Sequence, residues 1–254
     1  MPMHRLPAVE GERCIGFFFI LFVVMSYKNL FFDLDDTLWD FSGNARESFV
    51  EAYKQFDYQR FFPDFESFYD LYQGRNQALW KQYGTGEIDK QTLNELRFLY
   101  PLQEVGVEDV DLARRFGEEV LRRIPHHSGL MPHAREVLDY LAPRYRLFIL
   151  SNGFREQQAC KLKLSGIDGY FRKVVLSEDL GVLKPRPEIF HFACSATQSL
   201  LQESLMIGDS WENDIEGAKG AGMDQVFYNV HGKTDLPFRP TFCISSLAEL
   251  MKLL

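Results

Sequence analysis

The sequence predicts an α/β protein: an open, doubly wound parallel sheet with an all-helical segment inserted after the first strand. Three observations carry this. Six short runs rich in Phe, Ile, Leu and Val, at residues 28–33, 146–152, 173–177, 205–209, 225–229 and 242–245, read as strands buried on both faces. Helical periods lie between several of them, with Ala134, Val137, Leu138 and Leu141 on one apolar face and Leu247, Leu250 and Leu254 on another. Residues 42–127 break the alternation, carrying helical patterns and little strand signal.

Along the chain, the first feature is an apolar run at residues 15–24 (IGFFFILFVV) behind Arg5 and Arg13. It is shorter than the roughly 20 residues a spanning helix requires. No small-residue cleavage site follows it, and Glu10 and Glu12 spoil the basic flank of a signal peptide. Met25 stands directly before Ser-Tyr-Lys-Asn and the first strand. The expectation is that residues 1–25 are a disordered extension or not native, with Met25 as the natural start and no stable membrane association; a membrane tether is the alternative.

The inserted segment places Phe65, Phe68, Tyr69 and Tyr72 at helical spacing, and Leu112, Phe116 and Leu121 less regularly. Such stripes are expected to be packing core. The return linker is residues 125–129 (PHHSG). Its tandem histidines lack a carboxylate at ligand spacing, so a solvated hinge is expected there rather than a metal site.

The bulk numbers agree with an ordinary globular chain of 254 residues, with 46% hydrophobic and 25% charged residues. A net charge of −8, from 28 Lys plus Arg against 36 Asp plus Glu, disfavours a nucleic-acid polymer as partner. A small anionic substrate remains compatible, since a few local cations or one metal ion reverse the local field. Four scattered cysteines without C-x-x-C spacing read as free thiols of a cytoplasmic protein, monomer or homodimer.

The segment that points to chemistry is residues 31–38, FFDLDDTL, where an apolar strand delivers three carboxylates at its end. Two carboxylates about 4 Å apart repel by roughly 4 kcal/mol at an effective dielectric near 20. A bound cation or a raised pKa has to compensate, and both serve phosphoryl transfer. One aspartate could attack phosphorus and another protonate the leaving oxygen. Ser151, Asn152 and Gly153 follow a strand and precede a helix, which suits an anion cradle. Lys184, between Leu183 and Pro185, could neutralise charge on a phosphoryl group. Ile207-Gly208-Asp209 ends another strand, with Asp214 five residues on. Each of the last three segments has an ordinary reading as a turn, a surface lysine or an N-capping acid.

Taken together and in order, these four segments resemble the motifs of the haloacid-dehalogenase superfamily. The resemblance implies a Rossmann-like core at 26–41 and 128–254 and a subfamily I α-helical cap at 42–127. It implies Asp33 as nucleophile and metal ligand, and Asp35 as general acid/base whose backbone carbonyl also binds Mg²⁺. Ser151 and Asn152 would hold phosphate, Lys184 would orient it, and Asp209 would bind the metal with Asp214 supporting. Within the cap, Leu79-Trp80, Tyr83, Gly86, Ile88 and Arg97-Phe98 resemble the house-cleaning pyrimidine 5'-nucleotidases, as do 152–154 and 177–181. Trp39, Trp80 and Tyr83 are then candidate substrate contacts, although packing of cap on core explains Trp39 and Phe41 equally. A phosphoglycolate or sugar-phosphate phosphatase is the alternative, followed by a 2-haloacid dehalogenase and a non-catalytic binding module. Asp35 argues against a dehalogenase, which needs neither an acid there nor Mg²⁺.

Overall fold

The computed structural model describes residues 27–254, so the expectation for residues 1–25 lies outside the described residues. Six strands form one parallel sheet: β1 (Asn29–Phe32), β2 (Arg146–Ser151), β3 (Lys173–Leu176), β4 (Ser204–Gly208), β5 (Asp224–Tyr228) and β6 (Phe242–Ile244), in the order β3-β2-β1-β4-β5-β6. All six lie where the apolar runs predict them.

The runs lack polar alternation because both sheet faces are covered. On one face Leu30, Phe32, Ile149 and Ile207 pack against Val137, Leu138 and Leu141 of α5 (Ala134–Leu141) and against Leu247 and Leu250. On the other, Phe31, Phe148 and Met206 meet Ile189, Phe190 and Ala193 of α8 (Pro187–Thr197) and Ala218 and Ala221 of α9 (Gly217–Ala221). Phe31 stacks on Phe148 with centroids 5.0 Å apart. The chain leaves β1 for β2 on one side and reaches β4 on the other, so the order reverses at the carboxyl end of β1. Ligands of open α/β sheets bind in that crevice.

Between β1 and β2 stand α1 (Phe41–Gln55), α2 (Phe65–Thr85), α3 (Lys90–Glu104) and α4 (Val110–Arg123). Each begins at an aspartate whose side chain accepts a backbone N–H: Asp40 from Gly43, Asp64 from Ser67, Asp89 from Thr92 and Asp109 from Leu112. Such caps contribute about 1 kcal/mol each. The aromatic stripes are indeed core. Phe49, Phe68 and Phe98 surround Phe116, whose ring stacks on Tyr58 at 4.2 Å, and Tyr72 packs on Phe49 and Phe98. The return linker is tied down rather than loose. The Gly129 carbonyl accepts from the Asp40 N–H at 3.1 Å and from the Asn44 side chain at 2.9 Å. His127 lies 3.1 Å from Glu47 of α1, a carboxylate that sequence spacing could not show.

Trp39 corrects an expectation. It is fully buried, bridges in backbone register to Asp35 and Leu130, and packs on Phe41. Its ring belongs to the junction between the first strand's turn and α1, so it presents no face to a substrate in this structure.

Candidate functional site

The β1 ladder carries one residue past the strand: the Asp33 N–H donates to the Ile207 carbonyl of β4 at 2.9 Å. This holds Asp33 rigidly at the switch point. Lys184 reaches it across the crevice, with Nζ 2.6 Å from Asp33 Oδ1, 2.7 Å from Asp214 Oδ1 and 2.9 Å from the Leu150 carbonyl. The three donor positions of one ammonium are thereby engaged.

Asp209 follows β4 directly. The Thr37 hydroxyl donates to Asp209 Oδ1 at 2.8 Å and accepts from the Asp209 N–H at 3.0 Å, joining the first motif to the last. Asp214 returns to the crevice from a π-helical turn, Trp211–Glu216, and its Oδ2 accepts the Ser210 N–H at 3.1 Å. A side chain at Gly208 would collide with this carboxylate, so the close approach requires glycine. Carboxylate oxygens of Asp33, Asp209 and Asp214 all lie within 4.8 Å of one another.

Ser151 ends β2, buried, and its hydroxyl accepts the Gly153 N–H at 3.1 Å. Asn152 does something the sequence did not suggest. Its amide donates to the Lys184 carbonyl at 3.0 Å and accepts the Lys184 N–H at 2.8 Å. The side chain thus braces the backbone of Lys184.

The three clustered carboxylates separate in space. Asp33 enters the crevice. Asp36, with φ of 59°, turns away and accepts the N–H and hydroxyl of Ser42 at 2.8 Å each. Asp35 faces α6 (Arg155–Leu164), accepting from Lys161 Nζ at 2.6 Å and Gln158 Nε2 at 2.8 Å. Its side chain is outside the group formed by Asp33, Asp209 and Asp214.

Burial drives the electrostatics. It pushes the Asp33 carboxyl well above the ordinary range, against the pull of Lys184 and with the repulsion of Asp214 and Asp209. Burial and then Asp214 push Asp209 up to about 7. For Lys184 burial acts downward, but Asp214 and Asp33 outweigh it and hold the ammonium above its usual value. Three carboxylates facing one ammonium leave two negative charges uncompensated when all are ionised. A hard divalent cation with oxygen ligands fits this donor set in charge and chemistry.

From the inserted helices, Trp80 and Tyr83 lie half-buried over the loop after β2: Trp80 stacks on Phe154 at 5.3 Å and Tyr83 meets its edge at 5.7 Å. Lys90 sits over the same ring at 4.2 Å and pairs with Glu178 and Glu156. A cavity of about 260 Å³ is lined by Asp209 itself together with Trp211, Tyr228, Asn229 and His231.

Sequence reasoning missed Thr37, Gln158 and Lys161. Gln158 and Lys161 stand three residues apart on one face of the helix after β2, a spacing that belongs to no motif; Thr37 gave no signal beyond its place in the first motif.

The haloacid dehalogenase-like hydrolase family model matches residues 27–222. The pyrimidine 5'-nucleotidase YjjG of Escherichia coli (strain K12) is 33% identical over 91% of this chain and 99% of its own length. The pyrimidine 5'-nucleotidase PynA of Streptococcus pneumoniae is 32% identical over 89% and 94%. The solved structure of the HAD-hydrolase YfnB from Bacillus subtilis, bound to magnesium, superposes with a TM-score of 0.80 at 28% identity, covering 90% of this chain and 99% of that one. Agreement of this extent in sequence and backbone, over the strands that carry the aspartates, places the chain in the haloacid dehalogenase-like hydrolase family.

Proposed function

We propose that the chain is a Mg²⁺-dependent phosphomonoester hydrolase that works through an aspartyl-phosphate on Asp33, with pyrimidine nucleoside 5'-monophosphates as its substrates. The observation that carries the reading is the single ammonium of Lys184 shared by Asp33 and Asp214 beside Asp209. It holds a nucleophilic carboxylate at a strand end within an uncompensated anionic site.

Asp33, Asp209 and Asp214, with the Asp35 backbone carbonyl, would hold the metal. When bound, Mg²⁺ supplies positive charge that lets an anionic nucleophile approach an anionic phosphate. An Asp33 oxygen forms a bond to phosphorus as the bond to the ester oxygen breaks, and Asp35 gives that oxygen a proton. In the second half Asp35 takes a proton from water. The water oxygen bonds to phosphorus, the Asp33–phosphorus bond breaks, and inorganic phosphate leaves. The Ser151 hydroxyl, whose O–H is free to donate, would hold a phosphoryl oxygen, and Lys184 supplies positive charge beside Asp33 that orients the group. The helices of residues 42–127 act as the cap that closes over the crevice, excludes water and selects the leaving group. Support for pyrimidine selectivity is the identity to YjjG and PynA together with Trp80 and Tyr83 at the edge of the phosphate loop.

The test is phosphate release from dUMP, UMP, dTMP, purine monophosphates, phosphoglycolate and sugar phosphates, with Mg²⁺ and with EDTA. Mg²⁺-dependent release concentrated on the pyrimidine monophosphates is expected, and it should vanish in Asp33→Asn. Release mainly from sugar phosphates or phosphoglycolate would sink the nucleotidase reading and keep the mechanism.

A further inference from the structure

Lys161 is a buried ammonium, 3% exposed, near the end of α6. Its Nζ lies 2.6 Å from Asp35 Oδ1, and 4.8 and 4.9 Å from the ring centroids of Trp39 and Phe41. Two aromatic faces and one carboxylate therefore replace its hydration. Gln158, fully buried and three residues earlier on the same helix face, donates from Nε2 to Asp35 Oδ2 at 2.8 Å and to the Ser151 hydroxyl at 2.7 Å. Each oxygen of Asp35 is thus held by one residue of α6. Gln158 also occupies the space that a side chain at Gly153 would need.

Stability is a poor account of this arrangement. A buried ion pair is seldom better than well-packed apolar groups of similar volume, and the Trp39–Phe41 pocket would accept an aliphatic chain. What the pair does secure is the direction of one carboxylate, which sits on a turn two residues past Asp33 and keeps partial access to solvent. We infer that Lys161 and Gln158 are positioning residues that aim the Asp35 carboxylate for proton transfer, and that Gln158 links that aim to the phosphate loop through Ser151. The inference rests on the reading of Asp35 as general acid and base. It also gives Trp39 and Phe41 a task, as the walls that hold Lys161 rather than as a stacking platform for a base.

The experiment is the single-turnover rate of phosphoryl transfer in Lys161→Met, Asp35→Asn and the double variant, with dUMP and with 2,4-dinitrophenyl phosphate. The dinitrophenolate departs without a proton, so it does not depend on the acid. Lys161→Met is expected to slow transfer from dUMP about a hundredfold, as a misplaced group does. With dinitrophenyl phosphate it stays within about twofold of the parent, and in the Asp35→Asn background it adds less than about twofold. If Lys161→Met does not fold, Lys161→Gln keeps a donor without the charge and is read by the same two ratios. Full activity on dUMP, equal slowing of both esters, or a loss that adds in full to Asp35→Asn each overturns the positioning role. An Asp35→Asn variant as fast as the parent on dUMP removes the acid/base reading itself, and this inference with it.

Discussion

Lys184 and Asp214 form a buried ion pair at 2.7 Å in which the carboxylate has no exposed surface. Asp214 is therefore a structural counter-charge as well as a candidate metal ligand. Asp214→Ala should destabilise the protein by about 1–3 kcal/mol, less than a fully orphaned ion would, because Lys184 loses one hydrogen-bonded carboxylate but keeps Asp33 while the site sheds one excess negative charge. Urea denaturation in EDTA reads this directly. A variant as stable as the parent, and deficient only in metal binding, would show that the carboxylate acts through the metal alone.

Asp209 sets a pH dependence with a definite sign. Its carboxyl is pushed up to about 7 in the folded, metal-free protein, mainly by burial. The folded state then binds more protons than the unfolded state above the ordinary carboxylate range, so stability falls as pH rises toward 7. EDTA-treated protein should be more stable at pH 5 than at pH 8, and Asp209→Asn should flatten that slope. Mg²⁺ at a hundred times its dissociation constant should restore about 2.7 kcal/mol at pH 8, and much less in Asp209→Asn.

Trp80 stacks on Phe154 where the inserted helices meet the loop after β2. If this edge selects the leaving group, Trp80→Ala should raise KM for dUMP about tenfold, which is about 1.4 kcal/mol of lost contact, while methyl phosphate turnover is unaffected. Equal losses on both substrates would mean that the ring merely supports the loop.

Phe116 has no exposed surface and contacts Tyr58, Phe68 and Phe98. Phe116→Ala should cost about 3–5 kcal/mol through the cavity it leaves. With the sheet untouched, the loss should appear first as faster amide exchange in α1–α4, a local opening rather than global unfolding. Uniform loss of protection across the sheet as well would show that helices and sheet unfold as one unit.

Much of this protein was legible in one dimension, because the strongest signals are local. The six strands announce themselves as apolar runs without alternation, since a parallel sheet covered on both faces has no side for polar residues. Asp33, Ser151 and Asp209 stand out because each lies at the end of such a run, and Lys184 because Pro185 and Pro187 fix it just before a helix. The sheet delivers residues at strand ends to one crevice whatever their distance along the chain.

Only tertiary structure decided what each side chain touches. Trp39 and Asn152 have the composition of ligand contacts, yet one is locked in the junction with α1 and the other braces the Lys184 peptide. Asp33, Asp35 and Asp36 are near neighbours in sequence. They part to three sets of partners because a turn with positive φ at Asp36 points successive side chains in different directions. Lys161 and Gln158 carried no motif at all; their meaning comes from a helix packed against that turn, 126 and 123 residues away along the chain. Strand ends and helix periods are written into neighbouring residues, whereas a buried charge takes its role from whatever the fold brings within about 3 Å of it.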